Sequence, residues 1–156
     1  MKIKKTATAL CALAAVLLCG CGSGPAVLSP DLPDISGDSG TFSKAQKITI
    51  VPADAEKTGR TITGNREIDA FIVEMEPENW KIESIPESAE ETGTFQFAQE
   101  ETIKLGQTEN NGHMQTLCEI TVYDSPYIKL QLSGFYHPSF SFKISPEAAD
   151  YLNGYV

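Results

Sequence analysis

Three stretches in the last third of the chain place an apolar residue at every second position: Cys118, Ile120 and Val122; Ile128, Leu130 and Leu132; Phe140, Phe142 and Ile144. Successive side chains of a β-strand point to opposite faces, so each stretch predicts a strand with one buried and one wet face. The breaks between them, Asp124-Ser125-Pro126 and the segment after Gly134, carry turn-forming residues. They are too short for a parallel crossover, so neighbouring strands must run antiparallel. A sheet wet on one side must have its apolar face covered by another layer.

The covering layer is also legible. Ile68, Phe71, Ile72 and Met75 stand at i, i+3, i+4 and i+7, which puts all four on one face of a helix. Thr63 or Asn65 can cap its start, Glu67 and Asp69 suit its first turn, and Pro77 stops it. Before it, Lys47-Ile48-Thr49-Ile50-Val51 and Arg60-Thr61-Ile62-Thr63 read as strands, and after it Trp80-Lys81-Ile82 reads as a short one. Phe95 with Phe97, and Ile103 with Leu105, repeat the alternation, and Asn111-Gly112 is a tight-turn signal. Ser145-Pro146-Glu147 opens a short helix that ends at Asn153-Gly154. The expected fold is α+β. It is an antiparallel β-meander sheet of about five or six strands, with one main amphipathic helix packed on one face and a short C-terminal helix.

The start of the chain belongs to none of this. A basic segment, Met1 to Lys5, precedes an apolar run from Ala9 to Leu18 that is short for a permanent span, and the layout matches a secretory signal. The run ends in Leu18-Cys19-Gly20-Cys21, which resembles the lipobox of bacterial prolipoproteins: an aliphatic residue three places before the cysteine and a small one immediately before it. The resemblance implies cleavage before Cys21, attachment of a diacylglycerol to its thiol and acylation of the new N-terminus. Cys19 competes less well, because bulky Leu18 would then flank the cut. The predicted organisation is a signal peptide over residues 1–20, a lipidated Cys21 with a Gly-, Ser- and Pro-rich linker over residues 21–45, and one globular domain over residues 46–156. Such a linker has an r.m.s. span of roughly 25 Å. Beyond the leader, Glu67-Ile68-Asp69-Ala70-Phe71-Ile72 with the meander behind it resembles the small ectodomains of uncharacterised lipoproteins from low-GC Gram-positive bacteria, a resemblance that implies no activity.

Charge restricts the partners. Three of the twelve basic residues fall in the leader, leaving nine against 21 acidic ones, a net charge of −12. A partner that demands phosphate neutralisation, nucleic acid above all, is disfavoured. An anionic lipid surface also repels such a domain, so the expected membrane contact is through the lipid anchor only, at the extracytoplasmic face. With Cys21 alkylated, Cys118 has no partner for a disulfide and reads as a small core hydrophobe.

No cofactor motif is present, and two histidines without a His-Glu-x-x-His pattern do not assemble a standard zinc site. Asp31, Asp34 and Asp38 lack the alternate spacing of a calcium loop. The acidic run that contains Glu87, Glu90 and Glu91 is a solvated face or a dock for a cation. Tyr127, Phe135, Tyr136 and His137 flank turns, where recognition residues tend to sit. The expected role is a non-catalytic module binding a protein, peptide or wall glycan. The alternative is an envelope-directed hydrolase built on a carboxylate pair, or on Cys118 with His113 or His137.

Overall fold

The computed structural model describes residues 40–102 and 112–156. The leader, Cys21, most of the linker, the strand expected at Ile103 and Leu105, and Asn111 lie outside them. The described chain is α+β. It runs β1 (Lys47–Pro52), β2 (Arg60–Ile62), α1 (Asn65–Met75), β3 (Lys81–Ile82), β4 (Glu91–Glu100), β5 (Met114–Tyr123), β6 (Tyr127–Leu132), β7 (Ser139–Lys143) and α2 (Pro146–Asn153). The strands form one sheet in the order β2-β1-β4-β5-β6-β7-β3, antiparallel throughout.

The sheet has seven strands rather than the expected five or six. Its edges are the short segments that already read as strands in the sequence: β2 has three residues and β3 two. Strands this short carry no periodicity of their own and are held by their neighbours, as Ile82 is opposite Phe142. Short edge strands also blunt edge-to-edge association.

Alternation decides which side chains meet the helices. Ile48 and Ile50, Phe95 and Phe97, Cys118, Ile120 and Val122, Ile128 and Leu130, and Phe142 are all buried. They share one core with Ile68, Phe71 and Met75 of α1 and Ala148 and Leu152 of α2. Phe71 sits at the hub, with ring centroids 5.3 Å from Phe95 and 5.3 Å from Tyr155. Each such side chain contributes about 1.5–3 kcal/mol by leaving water. The core also takes in Phe42 and Ala45, which lie on the linker side of the expected boundary. Phe42 packs edge-on against Phe97 and Trp80 at 5.1 and 5.8 Å.

The start of α1 departs from expectation in two respects, the first being that Glu67 lies in its first turn and Asp69 beyond it. The N-cap of α1 is Gly64, not Thr63 or Asn65, and no side chain caps it. At its other end Glu76 adopts φ 51° and ψ 51°, and the Trp80 indole donates to the Met75 carbonyl at 2.8 Å. The Glu76 carboxylate accepts from Ser145 Oγ at 2.9 Å, and that same oxygen accepts from the Ala148 amide at 3.1 Å, capping α2 as expected. One hydroxyl thus joins the end of α1 to the start of α2.

Candidate binding surface

The β6–β7 connection is the most apolar exposed feature of the described surface. It runs from Ser133 to Pro138, and its mouth is closed by the Leu132 amide donating to the Pro138 carbonyl at 2.9 Å. Gly134 takes φ 150° and His137 φ 43°. The first conformation suits a glycine, and the second costs an L-residue about 1–2 kcal/mol. This backbone aims Phe135 and Tyr136 outward, 92% and 87% exposed, their rings edge-on to each other at 5.2 Å. His137 is exposed beside them. Three of the residues singled out from sequence are therefore brought together on one tip.

Tyr127 is not part of it. It opens β6, whereas the tip follows that strand's last residue, so the two lie roughly 17 Å apart at about 3.4 Å per residue. Tyr127 is out of phase with Ile128 and Leu130, which turns its ring to the uncovered face of the sheet. There its hydroxyl donates to Glu83 Oε1 at 2.9 Å, and Lys143 Nζ lies 5.8 Å from its ring centroid and 3.8 Å from the same carboxylate. The Glu83 carboxylate holds the phenol proton and raises the Tyr127 pKa above its ordinary value. Lys81 stands opposite Lys143 in register. Sequence reasoning does not find Glu83 or Lys143: Lys143 is marked only by its outward phase next to buried Phe142, and Glu83, just past β3, by nothing local.

Glu87, Glu90 and Glu91 are exposed. The Glu90 amide donates to Asp124 Oδ1 at 3.0 Å and its carbonyl accepts from the Asp124 amide at 2.9 Å, which ties the start of β4 to the β5–β6 turn. Glu91 lies opposite Tyr123. Burial, with Glu91 second, raises the pKa of the Tyr123 phenol. Among the described residues, no group of three or more His, Cys, Asp or Glu side chains could hold a metal ion.

Cys118 points into the core with none of its surface exposed, and burial pushes its thiol up to about 12. A nucleophile needs its thiolate and access to substrate; Cys118 has neither. Both histidines are exposed, His113 before β5 and His137 on the tip. No described helix is long and apolar enough to cross a membrane. Comparison with family models, with curated proteins and with solved structures finds no match.

Proposed function

We propose that the chain is an extracytoplasmic lipoprotein, held at the membrane through Cys21, whose domain is a non-catalytic binding module and whose contact surface is the β6–β7 tip. The observation that carries this reading is the near-complete exposure of two adjacent aromatic rings on a closed loop. Solvent-exposed aromatics are costly to keep in contiguous pairs, and Phe and Tyr give recognition surfaces large contact area for little lost rotamer entropy. The anchor is supported by the lipobox and by a domain charge that gives the protein no electrostatic hold on a bilayer.

The double variant Phe135→Ala/Tyr136→Ala tests the surface. Both rings lie outside the core, so its unfolding midpoint should match that of the parent to within about 0.5 kcal/mol. Retention on whole envelope material should nevertheless fall sharply. Equal retention of parent and variant would remove the tip from the binding surface. For the anchor, Cys21→Ser should leave an unprocessed precursor that takes up no fatty-acid analogue; normal processing and labelling of that variant would contradict the reading.

A further inference from the structure

We infer that the β6–β7 tip makes its contact with the lipid bilayer itself, dipping Phe135 and Tyr136 into the interfacial zone beside the anchor. This rests on the lipoprotein reading above and names the partner of that same surface.

The register of the sheet supplies the first reason. β1 begins at Lys47, which lies opposite Ala98; Ala98 lies opposite Thr116; and Cys118 lies opposite Leu132, the residue from which the tip departs. Residues 43–46 stay at this end, against Gln99, with the Gln46 amide donating to the Ala98 carbonyl at 2.8 Å. The chain coming from Cys21 therefore joins the domain at the end of the sheet from which the tip projects. A tether pulls its point of attachment toward its anchor, so this end is the one nearest the lipid.

Charge gives the second reason. At the far end Asp54, Glu56, Glu83, Glu90, Glu91 and Asp124 outnumber Lys57, Arg60, Lys81 and Lys143. At the tip end Lys44, Lys47 and Arg66 stand among the carboxylates of Glu67, Asp69, Glu100 and Glu101, so three cations there meet four anions. The repulsion expected of a chain whose net charge without residues 1–20 is −12 thus falls on the end turned outward, beyond the Debye length of about 8 Å from the head groups.

Chemistry gives the third. Tyr is enriched at membrane–water boundaries, where its ring sits at head-group level with its hydroxyl in water, and Phe135 beside it adds apolar area to the same tip. The closed loop mouth and the fixed φ values at Gly134 and His137 hold both rings outward before contact, so little ordering remains to oppose it. A linker this short raises the local concentration of lipid around the tip into the millimolar range, so a weak individual affinity suffices. Lipid anchor and aromatic tip then act as two points of attachment that set the domain's orientation.

The test uses lipidated protein isolated from cells and reconstituted in phosphatidylcholine–phosphatidylglycerol vesicles. Phe135→Trp introduces a reporter at the tip, Glu56→Trp one at the far end, and the parent gives the background of Trp80. In the fraction that floats with vesicles, lipids brominated near the head group should quench the Phe135→Trp emission several-fold more than that of either control. Flotation with equal quenching in all three proteins would overturn the inference and leave the anchor standing. Failure to float would remove the anchor and the inference together. An emission shift of Phe135→Trp produced by soluble wall-glycan fragments, with none produced by vesicles, would also overturn it.

Discussion

Gly93 lies in β4 where Val156 packs down on the sheet. A Cβ built there would stand 2.5 Å from Val156 Cγ1 and 2.9 Å from the Val51 carbonyl oxygen. Backbone cannot yield as a flexible side chain does, so Gly93→Ala should lose about 1–3 kcal/mol, read as a lowered unfolding midpoint. An unchanged midpoint would show that Val156 moves aside freely. Cys118 offers a second residue-scale test. Its thiol pKa, about 12 when folded against an ordinary 9.0, is raised, so burial of the neutral form contributes stability that is fully present below about 9. That contribution is lost as the pH rises from there toward about 12, because the unfolded chain ionises first. At pH 8 the folded protein should leave a thiol reagent unreacted at Cys118, and denaturant should expose it. Rapid labelling of the folded protein would place the thiol outside the core. The role of Cys118 was readable from its place in an alternating run. Gly93 was not, because nothing local announces that a residue 63 positions later will lie against it.

At the scale of elements, legibility followed the length of the pattern. α1 and the strands β4 to β7 carry their buried faces in the sequence, and the meander follows from the short turns between β5, β6 and β7. β3 shows only as Trp80-Lys81-Ile82 and is fixed by its two register partners on β7. The capping of α1 misled because Thr63 and Asn65 are good capping residues on either side of Gly64, whose carbonyl accepts the first helical bond, from Ile68. α2 is legible in the sequence, since Ser145 before Pro146 leaves little freedom at that helix start. Ser145 does more than cap: its hydroxyl also donates to Glu76. Ser145→Ala should therefore cost about 1–2 kcal/mol, toward the upper part of the range for a lost cap. Adding Glu76→Gln to Ser145→Ala should cost little more, because the hydroxyl it served is already gone. Independent, additive losses would show that the link between the helices carries no energy. The two ends of β6 make a related point about the site. Tyr127 and the pair Phe135–Tyr136 look alike in sequence, as aromatics beside turns, yet one is held by Glu83 and Lys143 while the other two touch each other and stand exposed.

For the whole molecule, the described chain is an α+β domain whose aromatic tip and whose first described residues lie at the same end of the sheet, and under the proposed function this domain hangs on a lipid tether. The candidate aromatics are legible in the sequence, but the end of the sheet they share with Lys47 is not, because it depends on the pairing of strands far apart in the chain. Nor did net charge foretell its own distribution along the strands. Everything at this scale depends on acyl chains at position 21. The direct measurement is mass spectrometry of the N-terminal peptide from protein extracted from cell membranes. The expected result is a chain beginning at Cys21 and carrying a diacylglycerol on sulfur. A free thiol at that position, or a peptide that still includes residues 1–20, would contradict it.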